Sequence, residues 1–163
     1  MAIIATATIA MVKTAGRPMA HRLEDDLGFL LARTHRAMRR WLMSQLAPLD
    51  ITYEQFVVLT RLWHKSDLSQ TELADEIFVD KSSLARMLHR MEDAGLIRRD
   101  IDETDSRVHL VNLTPEGRAL ENEVAPLRAK GLSQAARGLS EEEVSELKRM
   151  LNQIFYHISA EDS

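Results

Sequence analysis

The chain contains no cysteine among its 163 residues. That excludes disulfides, thiolate metal sites and any thiol-based redox sensor. Histidine is present (His21, His35, His64, His89, His109 and His157), but no pair has His-x3-His or HExxH spacing. A zinc site therefore lacks its ligand pattern, and the histidines read as isolated surface or core side chains. There is no glycine-rich phosphate loop and no Gly-x-Ser-x-Gly nucleophile elbow, so nothing points to catalysis or to a cofactor. Long apolar runs are missing too. Ile3 to Val12 is too short to span a bilayer and has no basic stretch before it, which argues against a signal peptide. Residues 1–21 are expected to be a flexible tail, or to precede a true start at Met11 or Met19. There are no repeats and no low-complexity runs.

What is present is an ordinary soluble composition, 45% hydrophobic and 28% charged, in a length that suits one domain with a substantial core. That domain is expected over residues 22–159. Its organising stretch is Ser69 to Thr114. Ser69 and Glu72 fit a capping box that opens a short helix with Leu73, Ala74, Ile77 and Phe78 on its apolar face. After a turn at Val79-Asp80, the Asp80 carboxylate suits the N-cap of a second helix, Lys81 to Ala94. Leu84, Leu88 and Met91 fall at inward spacing. Ser82, Ser83, Arg86 and Arg90 lie largely on the opposite side, where hydroxyls and guanidiniums bond phosphates and base edges. Gly95 is a natural helix stop. Two short helices joined by a tight turn, the second rich in donors, form the helix-turn-helix pattern. Ile97–Ile101, a polar loop over 102–107 and Val108–Leu113 then read as a β-hairpin with a charged tip, a wing.

The flanks are helical. Arg22 to Leu46 carries Leu23, Leu27, Leu30, Leu31, Thr34, Met38, Trp41 and Leu42 at helical spacing, and Pro48 ends it. Thr52 and Gln55 open a further helix that turns Phe56, Leu59, Leu62 and Trp63 inward. Thr114-Pro115 starts a long helix, with a kink expected at Pro126 and weak turns at Gly131 and Gly138. Ser140 to Glu143 is another capping box, not a catalytic carboxylate pair. It opens a last helix striped by Leu147, Met150, Leu151, Ile154, Phe155 and Ile158. The fold expected is therefore mainly α with a small β-hairpin wing: a winged helix-turn-helix core at about 51–114, between helical segments at about 22–47 and 115–159.

The formal net charge of −4 is unhelpful for a DNA binder. Its distribution is more favourable: Lys81 to Arg99 holds five basic residues against Glu92 and Asp93, while Pro115 to Ser163 holds nine acids against six bases. A basic reading head on an acidic body is enough for phosphate contact.

These residues resemble the winged-helix core of the MarR family of bacterial transcription regulators. Asp105-Ser106-Arg107, followed after five residues by Leu113-Thr114, is similar to the family's wing signature. Lys81-Ser82-Ser83 with Arg86, Met91-Glu92 and Gly95-Leu96-Ile97-Arg98 support it. The resemblance covers roughly Arg22 to Ser159 in element order, with sharp motifs only between Leu73 and Gly117. It implies a cytoplasmic, sequence-specific transcription regulator, a homodimeric repressor on an inverted repeat in double-stranded DNA. Lys81, Ser82, Ser83, Arg86, Arg90, Asp105 and Arg107 would make the contact. It also implies that the first and last helices pack across a two-fold axis. Many MarR-like regulators release DNA on binding a small aromatic or phenolic anion, for which His35, Arg39, Tyr53 and Phe56 are the candidates here. The branch of the family that senses oxidants through cysteine is excluded. The competing reading is a winged-helix protein-interaction module that does not bind DNA. A guanidinium at the wing tip favours the regulator.

Overall fold

The computed structural model describes residues 22–102, 104–105 and 107–160. The expectations for residues 1–21 lie outside them. The chain divides into two compact units, one up to Ala37 and one from Met38 on.

In the first unit, a 3-10 turn at Leu23–Asp25 leads to the start of helix α1, Leu27–Leu46. The helix begins later than the apolar spacing suggests. The Asp26 carboxylate accepts the Phe29 amide at 2.7 Å and so caps the helix there. Arg33 lies over the Phe29 ring, 5.7 Å from its centre.

The second unit holds the rest of α1 and everything after it. Helix α2 is Tyr53–His64, opened by the reciprocal Thr52/Gln55 capping box. Strand β1, Leu68–Ser69, feeds helix α3, Gln70–Ile77, through the Ser69/Glu72 box. Helix α4 is Lys81–Asp93. Strands β2 (Ile97–Ile101) and β3 (His109–Leu113) form the hairpin, and helices α5 (Pro115–Ala135) and α6 (Glu141–Ser159) follow. The sheet order is β1-β3-β2, antiparallel throughout, with Leu68 opposite Val111 and Ile97 opposite Leu113. The spacing of apolar residues did not reveal β1.

The core sits where α2, α3, α4 and the sheet meet. Leu59, Leu62, Leu68, Leu73, Leu84, Leu88, Met91 and Val111 are fully or almost fully buried. Each such side chain stabilises the fold by roughly 1.5–3 kcal/mol relative to exposure. The Trp63 indole reaches α5, its Nε1 donating to the Gly117 carbonyl at 2.9 Å. One expectation needs correction. Phe78 does not join the apolar face of α3; it takes a left-handed conformation (φ 56°) at the helix end and is 71% exposed. A residue turned left-handed at a helix terminus leaves the helical spacing, so its ring leaves the inward face. Helix α5 is continuous across Pro126, although proline gives the Asn122 carbonyl no amide.

Helix α6 buries none of its side chains. Leu147, Met150, Leu151, Phe155 and Ile158 are all at least 39% exposed. Among the described residues, no helix is long and apolar enough to cross a membrane.

Candidate nucleic-acid interface

The candidate interface comprises α4 and the hairpin tip. Helix α4 starts sharply because Asp80 adopts an extended backbone and its carboxylate accepts the Ser83 amide at 2.8 Å. The same oxygen takes the Ser82 hydroxyl at 2.6 Å. These bonds, with the Ser82 hydroxyl contributing most and the Ser83 amide next, hold the Asp80 carboxyl far below the usual carboxylate range. Ser83 Oγ in turn accepts from Arg86 Nη2 at 3.2 Å. The first turn and a half of α4 is thus a chain of polar contacts, Asp80 to Ser82 and Ser83, then Ser83 to Arg86. Lys81, Ser82, Arg86 and Arg90 are exposed and Ser83 half-buried. The helix ends at Gly95 (φ 69°), where the Gly95 amide bonds the Glu92 carbonyl and the Leu96 amide bonds the Met91 carbonyl.

Not all the basic residues counted in this region are available. Arg99 is held by Glu92 at 2.5 Å and Arg98 by Asp100 at 2.8 Å. Among the described residues, no carboxylate forms an ion pair with Lys81, Arg86 or Arg90.

The wing tip is shaped by two aspartates. Asp102 Oδ1 accepts the Thr104 amide at 2.7 Å and the Asp105 amide at 2.9 Å, folding the loop on itself. Asp105 then grips Arg107 by a two-pronged bond: Oδ1 accepts Nε and Oδ2 accepts Nη2, each at 2.9 Å. The guanidinium beside it is the main reason the Asp105 carboxyl sits below its usual range, and Arg107 is raised in return. Arg107 is 88% exposed. It is a cation fixed in direction and presented to solvent. Sequence reasoning identified the pair, but not Asp102, whose only signal was its place three residues before Asp105.

The candidate effector residues fare differently. Arg39, Tyr53 and Phe56 come together, with the Arg39 guanidinium 5.0 Å from the centre of the Tyr53 ring and the Tyr53 and Phe56 rings 6.3 Å apart. Glu54 joins them and bonds Arg39 at 2.5 Å, a partner the sequence reading missed. His35 is exposed, on the part of α1 that belongs to the first unit. Among the described residues no cluster of three or more metal-ligating side chains occurs.

Comparison with known proteins finds relatives over most of the chain. The model of the MarR family matches residues 51–109. The HTH-type transcriptional regulator MgrA of Staphylococcus aureus is 31% identical, over 83% of this chain and 92% of its own. A mutant of MarR from E. coli, solved in complex with operator DNA, superposes with a TM-score of 0.73 at 31% identity, covering 78% of this chain and 92% of that one. The transcriptional repressor CouR, bound to a 23-mer DNA duplex, gives a TM-score of 0.76 at 28% identity, covering 86% and 99%.

Proposed function

The chain belongs to the MarR family and is a DNA-binding transcription regulator rather than an enzyme; from that premise we propose that it works in the cytoplasm as a homodimeric, effector-responsive repressor on an inverted repeat. The observation that carries the DNA contact is the joint exposure of an unpaired basic face on α4 and a clamped guanidinium at the wing tip. Lys81, Ser82, Ser83, Arg86 and Arg90 form the helix contact, and Arg107, aimed by Asp105, forms the wing contact.

The dimer reading is supported by α6. A helix with five large apolar side chains on its surface and none buried has a face that the described residues leave largely uncovered, although Phe78 packs on Phe155. A second copy is the partner that also supplies the second half-site. In this reading the winged core is about 51–114, and the segments at about 22–47 and 115–159 build the interface. The effector is a small aromatic or phenolic anion. It competes with Glu54 for Arg39 against the Tyr53 and Phe56 rings.

The test joins footprinting with sedimentation. The full chain should protect two half-sites roughly 10 bp apart, centre to centre. Truncation after Gly138 removes α6 and should leave monomer with no footprint. A truncated form that stays dimeric and protects both half-sites overturns the dimer reading. Binding to duplex that does not weaken with salt overturns the interface.

A further inference from the structure

We propose that Asn112 is a positioning residue that clasps the wing to the entrance of the helix-turn-helix, and thereby sets where Arg107 meets DNA. The proposal rests on the reading of Arg107 as a wing contact. Asn112 is polar but only 7% exposed, in a strand whose neighbours Val111 and Leu113 are core. A buried primary amide needs partners, and this one has three bonds. Its Nδ2 donates to Asp67 Oδ1 and to Asp100 Oδ2, each at 3.0 Å, and its Oδ1 accepts the Asp67 amide at 3.0 Å. Asp67 is left-handed (φ 57°) in the turn just before β1. Asp100 is on β2, where it also takes Arg98 at 2.8 Å. A single side chain thus ties the central strand to both of its neighbours.

The need for such a tie follows from the sheet. The hairpin itself is secured by a five-residue ladder from Ile97↔Leu113 to Ile101↔His109. Its attachment to the helix-turn-helix is much shorter, because β1 pairs with β3 over Leu68 and Ser69 alone. Ser69 is also the N-cap of α3, so any tilt of the hairpin on β1 is a tilt against the helices that carry α4. The two-sided grip of Asn112 on Asp67 restrains that tilt. A valine or leucine at position 112 would fill the space and leave the Asp67 amide and two carboxylates without their partner.

The experiment uses the full chain and a duplex that the wild type selects from a random pool, made with A·T-rich and with G·C-rich flanks. The readout is the ratio of the two affinities, which a general loss of stability does not move. Asn112→Ala should lower the flank advantage about fivefold, a coupling of ordinary size for networked residues. Combined with Arg107→Ala, it should cause no further loss. Asp67→Gly suits the left-handed backbone, removes the acceptor and keeps Asn112, so it should act in the same direction even if Asn112→Ala folds poorly. Asp67→Asn, which keeps an oxygen acceptor and tolerates the left-handed region, should restore the ratio. In the free protein, amide exchange at Leu68 should quicken in Asn112→Ala while the β2–β3 amides hold. Unchanged exchange overturns the clasp, and so does a flank ratio that falls with Arg107→Ala but not with Asn112→Ala or Asp67→Gly. If Arg107→Ala alone leaves the ratio intact, the wing reading is overturned instead, and the clasp stands or falls on the exchange result.

Discussion

The indole of Trp41 on α1 occupies the space that a side chain at Gly131 on α5 would need. A Cβ built at position 131 would lie 2.5 Å from the Trp41 ring carbon Cζ3, closer than packed carbons approach. Read along the sequence, Gly131 is a weak point in a helix. In the fold it lets the two helices close on each other.

Gly131→Ala therefore sets two effects against each other. Alanine favours the helix by about 1 kcal/mol. Forcing a methyl group against a rigid ring costs about 1–3 kcal/mol. The clash should win, lowering Tm by a few degrees and changing the emission of Trp41 but not that of Trp63. A rise in Tm, measured by calorimetry, would show that the indole has room to move.

Acid sensitivity should be concentrated at the start of α4. The Asp80 carboxyl is held below its ordinary value by the Ser82 hydroxyl and the Ser83 amide. A group whose folded pKa is depressed contributes stability that is fully present above its unfolded pKa, about 3.9 for aspartate, and is lost as pH falls through the folded value. Between neutrality and about pH 5 its contribution is constant, and below about pH 4 it declines. Asp80→Asn keeps a good N-cap without the titrating proton. Its thermal stability should fall less steeply below pH 4 than that of the wild type. Parallel slopes would place the acid-labile group elsewhere, for instance at Asp100, Asp102 or Asp105, which are also shifted down.

The elements legible in the sequence are those whose signals are local. A cap needs two residues at most four apart, so Thr52 with Gln55, Ser69 with Glu72, Asp80 with Ser83, Thr114 before Pro115 and Ser140 with Glu143 could all be read directly. The Asp105–Arg107 bond is local in the same way. What could not be read depends on distant partners. Strand β1 is two residues without periodicity and exists only because β3 passes beside it. Glu54 on Arg39 and Asn112 on Asp67 pair across 15 and 45 residues. Phe78 shows a third kind of miss. Its spacing is helical but its backbone is left-handed, and the ring packs edge-on against Phe155 at 4.8 Å instead of entering the core.

Arg86 and Arg107 should fail in different ways when removed, because different elements present them. Arg86 is one turn beyond Ser82 on α4 and is held by a single 3.2 Å bond to Ser83 rather than a two-pronged one, so it can swing to a base edge in the major groove. A bidentate contact to guanine O6 and N7 discriminates by about 1–3 kcal/mol per base pair. Arg107 is different: Asp105 holds both its Nε and its Nη2, and a hairpin tip rather than a helix carries it. A guanidinium in a minor groove reads width and negative potential, which favours A·T-rich flanks over single base edges. Arg86→Ala should relax preference at one position in each half-site. Arg107→Ala should weaken binding to all sites and shrink the advantage of A·T-rich flanks. Arg107→Lys should rescue poorly, since an ammonium has no planar fork for Asp105 to hold and is more strongly hydrated. Asp105→Ala should behave as a weaker Arg107→Ala, because the cation remains but is no longer aimed. Selection on randomised duplexes with each variant separates these outcomes. If Arg107→Ala leaves affinity intact while Arg86→Ala removes only non-specific binding, the two roles are reversed.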